Sequence, residues 1–147
     1  MKKVGLLLMT ALLTVLFAGC TIVRELPAAD APKAAEADRI LGGELLKHFL
    51  AGDAEKVCAL LPEDMREKLE PAKVRESRKA MLETMGTPVS YRYVTAQELP
   101  NFSMNLWAVR FRRVNDKTGK EFHSEALFRV ITGTVDDKPV ILTYSFL

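Results

Sequence analysis

Histidine and cysteine are scarce in this chain, with two of each among 147 residues. Two cysteines exclude a disulfide-built scaffold. His48 and His123 fall on different predicted elements, and no C-x-x-C, H-x-x-x-H or calcium-spaced acidic loop is present. No metal or other cofactor is therefore expected. An excess of one charge is also lacking: 21 Lys plus Arg stand against 19 Asp plus Glu. A nucleic-acid binder would carry a clear basic excess, so none is expected as partner. There is no G-x-S-x-G, and His123 and Ser124 are strand neighbours that point to opposite faces. No catalytic residue is singled out on these grounds.

What the chain does have begins at its first residue. Met1-Lys2-Lys3 is a short basic stretch, and Val4 to Phe17 follows uncharged and Leu-rich. That apolar run is about fourteen residues, short of the ~20 that span a bilayer and suited to an export signal. It runs into Leu16-Phe17-Ala18-Gly19-Cys20. The small pair before a cysteine resembles a bacterial lipobox, with Phe17 where the usual pattern has Leu. The resemblance implies a lipoprotein whose Cys20 is acylated, palmitate included, and becomes the mature N-terminus. Thr21 rather than Asp follows it. That implies an outer-membrane anchor facing the periplasm, if the source has two membranes. Removing residues 1–19 takes Lys2 and Lys3 away, leaving 19 basic against 19 acidic residues.

Residues 20–33 carry Pro27, Pro32 and Ala28-Ala29-Asp30-Ala31, with no helical or strand period. They are expected to form a lipidated N-terminus and flexible tether, reaching at most ~40 Å. Residues 34–147 are expected to form one α+β domain, and 48% hydrophobic residues suffice for a core. Ala34 to Ala51 reads as a helix, with Leu41, Leu45 and Phe49 on one stripe. Gly52 reads as its stop and Asp53 as the N-cap of a short helix bearing Val57, Cys58, Leu60 and Leu61. Another turn or two is expected over Glu63 to Leu69. Pro71 suits the first position of a helix running to Met85, with Val74, Arg78, Met81, Leu82 and Met85 on its stripe. Gly86 and Pro88 end it.

Beyond Pro88 the period becomes two. Val89, Tyr91 and Tyr93 form one inward series; Trp107, Val109 and Phe111 a second; Phe122, Ala126, Phe128 and Val130 a third. Val140, Leu142, Tyr144 and Phe146 form the last, with turns at 115–119 and 136–138. About four antiparallel strands are expected, with helices on one face. Parity sets the middle register: pairing Val114 with Glu121 places Trp107 opposite Phe128 and Val109 opposite Ala126. It also puts Arg110 opposite Glu125 and Arg112 opposite His123. A slip of one residue would bury charge.

Helices before a curved meander resemble the nuclear transport factor 2-like cone, close to cystatin-like folds. The stretches Leu50-Ala51-Gly52-Asp53, Leu61-Pro62, Leu69-Glu70-Pro71 and Met85-Gly86 are similar to those of a small bacterial envelope family of unknown function. The fold hosts enzymes, ligand binders and oligomerisation modules alike, so it does not choose a function.

The expectation is a non-catalytic binding or accessory module of the envelope, held to the membrane through Cys20. Its partner would be an envelope protein or a small ligand. Arg110, Arg112 and Arg129 share the polar parity of the sheet with Arg92 and form the candidate partner face. The same face would otherwise be a solvated set of cross-strand ion pairs. Two alternatives stay open: a small-molecule enzyme using Tyr91, Tyr93 or Tyr144 in the cone, and a module that self-associates into a homodimer through the sheet. His48 reads as a boundary histidine or a cavity ligand, and Cys58 as a small core residue or a reactive thiol.

Overall fold

The computed structural model describes residues 23–26 and 36–147. The signal segment 1–19 and Cys20 lie outside the described residues. A short strand, β1 (Arg24–Leu26), precedes four helices and a meander. The helices are α1 (Glu36–Ala51), α2 (Ala54–Ala59), α3 (Glu63–Arg66) and α4 (Pro71–Met85). The long strands are β2 (Thr87–Leu99), β3 (Phe102–Val114), β4 (Glu121–Val135) and β5 (Lys138–Phe146). They pair in the order β1-β2-β3-β4-β5, an open five-stranded sheet.

Two expectations change here. The sheet has five strands rather than about four, and it is mixed, because β1 lies parallel to β2 with Arg24 opposite Ser90. Arg24–Leu26 belong to the 20–33 stretch expected to be tether. Three residues carry too short a period to stand out as a strand, and a parallel partner some 66 residues later leaves no turn signal.

Helix α1 starts with Glu36 and Asp38, which suit the positive end of its dipole. It buries Leu45, Leu46, Phe49 and Leu50 against the inner face of the sheet. Each such side chain contributes about 1.5–3 kcal/mol through loss of apolar surface to water. Phe49, Phe128, Tyr144 and Phe146 make an aromatic cluster, with Phe128 and Phe146 edge-to-face at 4.9 Å. Breaks in register at Pro88/Ser90, Tyr93/Thr95 and Ile131/Thr132 bend β2 and β4–β5, curving the sheet around α1. The β3–β4 register is the expected one throughout: Val114 faces Glu121, Trp107 faces Phe128 and Arg110 faces Glu125.

Arg78 sits on the buried stripe of α4 for a reason that apolar periodicity does not supply. Its Nε and Nη2 donate to the Leu50 carbonyl at 3.1 and 2.9 Å, closing the C-terminal end of α1. Gly86 ends α4 at φ 96° and passes the Arg112 carbonyl so closely that a Cβ would lie 2.5 Å from its oxygen. Asp53 occupies the N-cap position of α2 without a side-chain cap bond; its carboxylate turns to His48 and Lys56. Phe122, expected on the core series, is 54% exposed. It pairs with Arg113 near the end of the β3–β4 hairpin.

Candidate functional site

The inner face of the sheet carries a line of polar groups beside its apolar core. Tyr91 and Tyr93 alternate inward from β2, and Asn105 and Trp107 from β3. The Tyr93 hydroxyl donates to Asn105 Oδ1 at 3.1 Å, and the Tyr93 ring stands edge-on to Trp107 at 5.3 Å. Arg39 of α1 covers the Tyr93 ring, its Cζ 5.8 Å from the centroid. Asn105 is fully buried, and its Nδ2 has no partner among the described residues.

Trp107 closes this interior. A Cβ on Gly42 of α1 would lie 2.5 Å from the indole Cη2, so helix and ring are in direct contact only because that position is glycine. Outside the indole lies a cleft of about 240 Å³ lined by Glu25, Arg39, Ile40, Glu44, Tyr91 and Trp107. The Tyr91 hydroxyl donates to Glu25 Oε2 at 3.4 Å. Burial first, then the Glu25 carboxylate, push the Tyr91 phenol up to about 12. Burial raises Tyr93 and Tyr144 as well. All three phenols therefore hold their protons at neutral pH, and Tyr91 and Tyr93 use theirs as donors.

On the outer face the three candidate arginines do not form one cluster. Arg110 is exposed in register with Glu125, but the Glu125 carboxylate pairs with Arg92 at 3.2 Å. Arg112 pairs with Glu121 at 3.7 Å. Arg129 lies opposite Leu106, four residues along β3 from Arg110, and donates to Ser145 Oγ at 3.2 Å. His48 sits at the border of α1 between Glu44 and Asp53, at 3.5 and 3.3 Å. Cys58 is buried, donates weakly to the Leu69 carbonyl at 3.3 Å, and is pushed up by burial. Among the described residues no group of three metal-ligating side chains converges.

Sequence reasoning missed Glu25 and Asn105. Asn105 had a signal: it shares the odd parity of Trp107, Val109 and Phe111, and a polar residue on a buried parity needs a partner. Glu25 had none, since only the parallel edge pairing brings it to Tyr91.

This architecture is the nuclear transport factor 2-like α+β fold. A ketosteroid isomerase-like protein from Erwinia carotovora atroseptica matches with a TM-score of 0.53 at 14% identity, over 76% of this chain and 92% of that chain. An NTF-2 like protein of unknown function from Shewanella oneidensis MR-1 matches with a TM-score of 0.44 at 12% identity, over 76% and 97%. No protein-family model and no curated protein matches the sequence. The first of these likenesses supports the fold alone, and identities this low leave chemistry to the site.

Proposed function

We propose that this protein is a lipid-anchored module of the cell envelope that works by binding rather than by turnover. The apolar interior packed around Trp107 carries the reading. Among the described residues the buried side chains with polar groups on the inner face include Asn105, Thr132 and the phenols of Tyr91 and Tyr93, with no carboxylate, imidazole or amine enclosed there. Acid–base chemistry in such folds draws on an enclosed group whose pKa is tuned by burial. Here Trp107 occupies that space, and the Glu25 and Glu44 carboxylates stand at the open cleft. The lipobox resemblance at Leu16–Cys20 supports the anchor, with the outer membrane as its place. Arg110 and Arg112 are the exposed cations of the partner face.

The experiment has two arms. Cys20→Ser should remove the acyl mass and release the protein from the membrane fraction; identical partitioning of both forms would refute anchoring. Arg110→Glu with Arg112→Glu should weaken partner capture in an in-cell crosslinking pull-down, with stability changed by about 0.5 kcal/mol or less beyond loss of the Glu121 pair. Unchanged capture would move the contact to the Glu25–Tyr91 cleft. Turnover of a small molecule that depends on Tyr91 would refute the binding reading altogether.

A second reading, self-association, is favoured by the outer sheet. Leu127 is 38% exposed there, and so, at 47%, is Leu142, expected on the inward series: the break in register at Ile131/Thr132 turns Ile141 inward in its place. Leu106 and Ile131, half-buried, lie on the same face.

A further inference from the structure

The strand β1 changes how far the domain can stand from its anchor. Three residues separate Cys20 from Arg24, and the four residue-to-residue steps between them reach at most ~14 Å in extended chain. The row of the sheet that begins at Arg24 runs through Ser90 and Arg110 to Glu125. From that row β3 continues four residues further to Val114, and a six-residue loop, 115–120, follows. Because β1 is parallel to β2, its first residue, Arg24, is the one nearer to Thr87, which pairs with Arg112. β1 is therefore entered from the end of the sheet that carries the β3–β4 hairpin, and Cys20 precedes it in the sequence by no more chain than the hairpin's own reach beyond that row.

The chemistry of the hairpin fits a bilayer surface. Val114 is 45% and Phe122 54% exposed, and both flank one shallow cleft with Arg113 and Lys117. From Arg112 to Phe122 there are four basic residues, Arg112, Arg113, Lys117 and Lys120, against Asp116 and Glu121. The opposite end of the sheet has the other sign: Glu98, Asp136 and Asp137 stand at its turns, with Asp38 of α1 beside them and Lys138 as the basic residue. Apolar side chains ringed by lysine and arginine are the composition that settles among anionic headgroups.

We propose that the β3–β4 hairpin is a second membrane contact, with Val114 and Phe122 entering the headgroup layer and Lys117 and Lys120 facing anionic lipid. This rests on acylation of Cys20. Two attachments would fix the orientation of the domain, with the hairpin end on the bilayer and the acidic end away from it.

The test uses the full-length protein purified from membranes and reconstituted in phosphatidylethanolamine–phosphatidylglycerol vesicles. An environment-sensitive dye is placed at Thr118→Cys or, as the distal control, at Asp137→Cys, each in a Cys58→Ala background. Nitroxide lipids should quench the dye at 118 several-fold more than at 137, and less so in phosphatidylcholine vesicles. Val114→Glu with Phe122→Glu should abolish the difference, as should Lys117→Glu with Lys120→Glu, both of them exposed. Equal quenching at 118 and 137 in protein whose Cys20 carries acyl mass overturns the hairpin contact and leaves the anchor standing. Selective quenching at 118 in protein without acyl mass removes the anchor and leaves the contact.

Discussion

Tyr91 shows what one inward polar side chain does in this fold. Its ring is buried under α1, and its hydroxyl reaches Glu25 of the edge strand. The folded phenol is pushed from 10.0 up to about 12, so the folded state holds that proton more tightly than the unfolded chain does. The stabilisation is present in full below pH 10 and is lost as pH rises from 10 to about 12. Tyr91→Phe should therefore weaken the alkaline fall in urea midpoint over that range and change little at neutral pH. Burial raises Tyr93 and Tyr144 in the same direction, so part of the alkaline fall should persist in the variant. An unaltered pH profile would show that Tyr91 titrates alike in both states. Trp107 and Phe128 were legible as an opposed pair from parity alone. The Tyr91–Glu25 bond was not, because it joins residues 66 apart through a pairing without a turn.

Elements in this chain are stabilised where they meet one another. The end of α1 is closed by a side chain from α4: Arg78 donates both its bonds to the Leu50 carbonyl. Periodicity placed Arg78 on the buried stripe of α4, and only the crossing of the two helices explains a guanidinium there. Arg78→Met keeps the stem and removes the donors. It should cost about 1–3 kcal/mol in urea unfolding, the range for a part-buried carbonyl left without its charged donor. A midpoint equal to wild type would mean that water replaces the guanidinium at no cost. The hairpin register was legible because alternation on both strands admits one parity. The strand β1 was not, since its pairing is decided by the open edge of β2 rather than by its own pattern.

For the whole molecule, the curved sheet has one face filled by α1 and one face open. The open face mixes Arg92, Arg110 and Glu125 with exposed Leu127 and Leu142. If a second copy covers it, sedimentation should give a dimer, and Leu127→Glu with Leu142→Glu should return it to a monomer. A wild-type monomer at high concentration would retire self-association. The distribution of charge between the two ends is also a property of the whole. The balanced composition conceals a basic hairpin, one stretch from Arg112 to Lys120, at one end, and at the other an acidic end that strand order gathers from Glu98, Asp136 and Asp137.

By itself the sequence determined the periods, the breaks and the parity. Apolar spacing of 3–4 and of 2 leaves few ways to bury Leu45, Trp107 and Phe128 together, so α1, α4 and the meander were written locally. Glycine and proline at 52, 71, 86 and 88 marked their ends. Tertiary structure alone decided which polar groups meet: Glu25 with Tyr91, Asn105 with Tyr93, Arg78 with Leu50. It also decided that Phe122, inward by parity, lies beyond the cover of the helices and is exposed. Parity states which face a side chain takes, and only the extent of the layer above that face determines whether water reaches it.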